Sequence, residues 1–262
     1  MQIRSHVLHL LATPHAENRF RDSYLPQSIR AATGCRPHEA WEALWGLLAD
    51  GLIYLDPQGQ PGSDNWRWKL SERGRKAVQG PWEPYDPEGY LRRLRRQVPD
   101  LHPIAYQYVQ EALQAFNAGC YLACSVMLGV AAEQVFLGVA EAMVAALDSS
   151  AEKLRKELGN SKSSQNARFQ ALRARLEPMR PTLPDDLGDN LTMDAVADLL
   201  RVTRNEAGHP QGRAVDEDTA YTHLQMAARY LGKMTALAAH FAQQSAHQHT
   251  GSQQNDGPAA SS

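Results

Sequence analysis

Apolar residues recur in three short segments at the start of the chain, Ile3 to Ala12, Pro26 to Thr33 and Pro37 to Asp50. In the third, Trp41, Leu44, Trp45 and Leu48 stand at i, i+3, i+4 and i+7, the spacing of one buried helical stripe. Gly51 is placed to end that helix as a left-handed C-terminal glycine. The period then changes: Leu52 to Leu55 reads as a strand, Asp56 to Asn65 as a loop dense in turn formers, and Trp66 to Leu70 as a returning strand. Residues 1–80 therefore predict three helices followed by a hairpin.

Gly80 to Tyr90 holds three prolines and no apolar period, and reads as a linker. Leu91 to Val98 sets four arginines around Leu91, Leu94 and Val98, a short basic amphipathic helix. From Ile104 the pattern is helical to Phe241. Ile104 to Asn117 is amphipathic through Val109, Leu113 and Phe116, and Tyr121 to Leu147 is apolar almost all round, as a central bundle helix is. Leu158 to Asn166 reads as a loop, and Ala167 to Leu176 as a helix followed by a proline-punctuated loop through Pro184. Thr192 to Ala207 is a helix capped by Thr192, and Asp216 to Phe241 carries one stripe from Leu224 to Phe241. Gln243 to Ser262 is too poor in apolar residues to order itself. The expected organisation is mainly α: residues 1–80, a linker and basic helix over 81–100, an antiparallel helical bundle over 101–243, and a disordered tail over 244–262.

The run ATGCRPHEAWEALWGLLADGLIYL, followed by WRWKLSERGRKAV, resembles a winged helix-turn-helix domain. The Gly51-Leu52-Ile53 exit and Leu70-Ser71-Glu72-Arg73-Gly74 are typical of such domains, and the third helix would be the recognition helix. To nucleic acid that helix offers Arg36 and His38 against Glu39, Glu42 and Asp50. Residues 1–80 carry 10 Lys and Arg against 8 Asp and Glu, whereas residues 101–243 carry 13 against 16. Strong DNA binding wants a basic face, so DNA, RNA and protein all stand as possible partners of the winged helix.

Composition narrows the class. With 43% hydrophobic and 21% charged residues and a net charge of -2, the chain is a folded protein and no blanket coater of nucleic acid. Cys35, Cys120 and Cys124 cannot build a disulfide framework or a four-ligand zinc site, and read as small core residues in a reducing compartment. The N-terminal run has no small-residue cleavage site and reads as no secretory signal. Gly119 to Ala140 is the one membrane candidate, but Glu133 and Gln134 interrupt it without an aromatic belt, which favours a buried bundle helix. A cytoplasmic protein without membrane partner is the expectation. The sequence contains no phosphate loop, GxSxG, HExxH or paired CxxC, so no cofactor or metal is expected.

The chemistry-bearing run is Arg201-Val-Thr-Arg204-Asn205-Glu206-Ala207-Gly208-His209-Pro210. In an unbroken helix Arg204 and His209 would point roughly 140° apart. Gly208 and Pro210 break the helix, so His209 can swing back beside Arg204. Arg4 and His9 share the spacing, but without the asparagine or the glycine break. The run resembles the Arg-Asn-x-x-x-His signature of HEPN domains, and FNAGCYLACSVMLGVAAEQVFLGVAEAM is similar to their second helix, with Glu133 inside it. The resemblance implies a metal-independent endoribonuclease with Arg204, Asn205 and His209 as the catalytic group, in defence or toxin-type regulation. It implies a homodimer through the C-terminal bundle, in which two motifs meet across a two-fold axis. Glu133 is a supporting carboxylate that could orient Arg204. The alternative is a non-catalytic adaptor or a DNA-binding transcription regulator whose bundle only dimerises.

Overall fold

The computed structural model describes residues 3–14, 18–21, 24–80, 82–184, 187 and 215–253. The described chain is mainly helical with one small two-stranded antiparallel sheet. It divides into two compact units, Met1–Arg96 with Leu113–Cys120, and Gln97–Ala112 with Tyr121–Ser262.

In the first unit α1 (Ile3–Ala12), α2 (Tyr24–Thr33) and α3 (Pro37–Ala49) pack together through Val7, Leu8, Leu25, Ile29, Leu44 and Leu47. The buried stripe of α3 is Ala40, Ala43, Leu44 and Leu47, rotated by one residue from the expected Trp41, Leu44, Trp45 and Leu48. Both sets fit the helical period and share Leu44. The alanines win because their small side chains let neighbouring helices approach, which leaves Trp41 half-buried and Trp45 47% exposed. Phe20 and Trp68 hold Trp45 edge-on, with ring centroids 6.3 and 5.6 Å away.

α3 ends at Gly51, whose φ is +69°. The Leu52 N–H donates to the Leu47 carbonyl (2.9 Å) and the Gly51 N–H to that of Leu48 (3.0 Å), the Schellman closure that a left-handed glycine permits. β1 (Ile53–Asp56) then pairs antiparallel with β2 (Arg67–Leu70), Ile53 opposite Leu70 and Asp56 opposite Arg67. Asn18 to Phe20 line the free edge of β2: the Trp68 N–H donates to the Asn18 carbonyl at 2.8 Å and the Phe20 N–H to that of Trp66 at 2.7 Å. Ser71 starts α4 (Glu72–Ala77), accepting from the Gly74 N–H at 3.0 Å and donating to the Gly51 carbonyl at 2.6 Å. Only glycine fits at 74, because a Cβ there would stand 1.9 Å from the Leu52 carbonyl oxygen.

Gly80 to Tyr90, expected to be a linker, is packed within this unit. Glu83, Tyr85 and Tyr90 are all buried, and the Tyr85 ring lies 5.2 Å from that of Phe116. The Asn117 amide donates to the Pro84 carbonyl at 2.8 Å, and the Arg73 guanidinium donates to the Asn117 side chain at 3.2 Å. Asp86 caps α5 (Pro87–Gln97), its carboxylate accepting from the Gly89 N–H at 3.1 Å, so the helix begins before the expected Leu91. Pro84 and Pro87 stiffen this entry instead of loosening it, and Pro87 takes the first helical position, where its missing N–H costs nothing.

In the second unit the N-terminal part of α6 (Pro103–Asn117) buries Ala105, Val109 and Ala112. α7 (Tyr121–Leu147) and α10 (Glu217–Gln253) pack along much of their length, with α8 (Glu152–Gly159) and α9 (Gln165–Leu176) between them in the chain. Contacts from Tyr121 to Glu217, Ser125 to His223 and Ala132 to Tyr230 ascend together, so α7 and α10 run parallel. The antiparallel order expected of the bundle does not describe this pair, since α10 starts with Glu217 beside Tyr121 at the start of α7. α8 and α9 do form an antiparallel hairpin, with Arg168 bonded to Asn160 and Arg175 to Ser150. α10 continues to Gln253, beyond the expected end at Phe241 and into the expected tail. Ala and Gln are frequent there and no glycine interrupts before Gly251. The expected helix Thr192 to Ala207 lies outside the described residues.

Candidate functional site

Arg204, Asn205 and His209 lie outside the described residues. The described member of the expected constellation is Glu133, half-buried on α7. Burial raises its carboxyl above the usual carboxylate range, and the positive charge of Arg168 on α9 partly offsets that. Arg168 donates to the Asn160 carbonyl at 3.1 Å, which anchors its guanidinium at the α8–α9 turn. Its Nε is buried without a hydrogen-bond partner among the described residues. Among the described residues, then, Arg168 is the cation whose field acts on Glu133. Sequence reasoning missed it, since Arg168 sits in no motif and only the fold of α9 against α7 brings it there.

The α7–α10 seam is polar at intervals. The Tyr121 hydroxyl donates to the Glu217 carboxylate at 3.0 Å, and the Ser125 hydroxyl and His223 Nδ1 lie 3.1 Å apart. The Tyr230 hydroxyl donates to the Ala132 carbonyl at 3.0 Å, and full burial drives its titration upward, so it stays protonated. Ser125 and His223 have the types of a nucleophile and its base, but Ser125 is 1% exposed and no substrate can reach it. These pairs satisfy buried polar groups and fix the register of the two helices.

In the first unit Arg36 and His38 stand exposed at the start of α3. Arg36 is engaged locally: its Nη2 donates to Glu39 at 2.7 Å, and its own backbone N–H donates to the same carboxylate at 2.7 Å. These bonds hold Glu39 down at about 2. Arg36 therefore presents a neutralised fork, while His38 stands clear beside it. Of the cysteines, Cys124 is a core residue as expected, its thiol pushed up to about 12 by burial. Cys35 is half-buried and Cys120 is exposed, which departs from the expected core placement. Among the described residues no group of three or more His, Cys, Asp or Glu could hold a metal ion. α7 is the one described helix long and apolar enough to cross a membrane, and half of its most apolar stretch is buried inside the protein. Comparison with protein-family models, curated proteins and solved structures returns no match for the chain.

Proposed function

We propose that the chain is a metal-independent endoribonuclease of the HEPN type, cytoplasmic and homodimeric, with a winged helix-turn-helix domain at its N-terminus. The observation that carries this reading is the run Arg204-Asn205-Glu206-Ala207-Gly208-His209-Pro210. An RNA 2'-hydroxyl attacks the adjacent phosphate, and the His209 imidazole moves the proton. Arg204 grips two phosphate oxygens as charge develops, and Asn205 fixes the phosphate or the imidazole by hydrogen bonding. One protomer supplies too few groups for both attack and departure, so two motifs share one cleft in the dimer. Glu133, the supporting carboxylate of this reading, lies in the field of the Arg168 cation.

Three helices, a hairpin and the Ser71-to-Gly74 closure support the winged-helix reading of the first unit. The engagement of Arg36 by Glu39 favours a protein or a positioned RNA over DNA as its partner. Without the ribonuclease activity, the same observation favours an adaptor over a transcription regulator. Arg204→Ala and His209→Ala are each expected to abolish RNA cleavage with the fold retained, and Arg204→Lys to fail because lysine lacks the two-pronged grip. Wild-type rates in both alanine variants would overturn the mechanism.

A further inference from the structure

The first unit carries an open cavity of about 380 Å3 between α1, the end of α4 and α5, within the usual size of small-molecule sites. Arg92, Arg93 and Arg96 line it from α5, where Arg96 neighbours Arg92 at i+4 and Arg93 at i+3. Ser5 closes it from α1, and Glu83 and Asp86 from the run before α5. Arg92 Nη2 reaches the Ser5 hydroxyl at 3.4 Å, and the Arg93 guanidinium lies over the Trp82 ring, 5.9 Å from its centroid. The Trp82 ring face holds the Arg93 cation near it, while the Arg93 Nε is buried without a hydrogen-bond partner among the described residues.

Charge decides what fits. Three permanent guanidinium cations face two carboxylates, and Asp86 already commits one oxygen to the Gly89 N–H. The lining keeps a positive excess on rigid forks whose geometry matches tetrahedral oxyanions. The carboxylates beside them can accept from hydroxyl or amino groups on the body of a ligand.

We propose that this cavity binds a small phosphomonoester whose body carries hydroxyl donors, of the class of sugar phosphates and mononucleotides. Arg92 and Arg96 take the phosphate, Arg93 backs them from its place on Trp82, and Glu83 and Asp86 orient the body. The proposal is independent of the ribonuclease reading, which rests on a sequence run in the other unit.

Isothermal titration of the full chain with ribose 5-phosphate, ribose and inorganic phosphate tests it. Ribose 5-phosphate and phosphate are expected to compete for one site per chain, and ribose is expected to give no binding heat. The double variant Arg92→Gln with Arg96→Gln should weaken ribose 5-phosphate by about 100-fold or more, the combined effect of two charge-assisted bonds. Arg95→Gln, on the same helix but outside the cavity, should leave it unchanged. Should the double variant melt early, Arg96→Gln alone is expected to weaken binding about tenfold, since that side chain is exposed and carries little packing. Equal losses in the Arg95 and Arg96 variants, binding of ribose as tight as that of its phosphate, or no saturation by about 10 mM ligand would overturn the site.

Discussion

Replacing Gly74 by alanine should unfold the first unit far more readily than any contact list for a single methyl group would suggest. A Cβ at 74 would stand 1.9 Å from the Leu52 carbonyl oxygen and 3.3 Å from Leu70 Cδ2, where ordinary contact starts at 3.4 Å. The nearest atom is backbone, so α4 must shift by about 1.5 Å, the difference between those contact distances. That shift strains the Ser71 cap, whose hydroxyl accepts from Gly74 and donates toward the carbonyls of Gly51 and Leu52. Overpacking costs about 1–3 kcal/mol and a weakened cap about 1, against a gain of about 1 for alanine over glycine in a helix. The expected net loss is about 1–3 kcal/mol, a fall in urea midpoint of about 1 M at typical denaturant slopes. The assay is specific, because all five tryptophans, Trp41, Trp45, Trp66, Trp68 and Trp82, lie in the first unit and their fluorescence reports its unfolding. A midpoint at or above wild type would refute the close approach of α4 to the start of β1.

Gly138→Ala, within α7 with open space at its Cβ, should stabilise the second unit by about 0.5–1 kcal/mol, read from the far-ultraviolet dichroism melt. The Glu39 carboxyl should titrate at about 2 by NMR, and Arg36→Ala should return it toward the ordinary 4.5. Its folded value lies below the unfolded one, so its contribution to stability is present above about pH 4.5 and is lost as pH falls toward 2. Asp86→Ala should lower first-unit stability by about 1 kcal/mol in the same fluorescence assay, whereas Asp86→Asn keeps the cap and should stay close to wild type, since burial disfavours the Asp86 charge. Light scattering on the full chain should give a dimer, and a monomer at high concentration would remove the shared cleft.

What the sequence makes legible is what local chemistry determines. Ile3–Ala12 and Tyr121–Leu147 match their expected bounds, and the hairpin strands fall within a residue of theirs, because apolar period and turn formers mark both. The third helix is placed correctly but its buried face is not: tryptophan hydrophobicity points to Trp41 and Trp45, while packing against α1 and α2 selects Ala40 and Ala43. The prolines of 80–90 look like a linker until Asp86 and Pro87 are read together as a helix start, a signal present in the sequence and outweighed by composition. Parallel packing of α7 and α10, the charge of Arg168 near Glu133, and the cavity lined by Arg92, Arg93 and Arg96 depend on tertiary placement that no spacing rule reports. Arg204, Asn205 and His209 are legible as a motif alone, since they lie outside the described residues.

The central claim is the chemistry of that motif, and the ends of the RNA products test it most directly. Labelled RNA incubated with the purified protein in EDTA should be cleaved to 2',3'-cyclic phosphate and 5'-hydroxyl ends, as the proposed attack by the RNA's own 2'-hydroxyl with His209 moving the proton requires. Cleavage that stops in EDTA, or products bearing 5'-phosphate and 3'-hydroxyl ends, would contradict it.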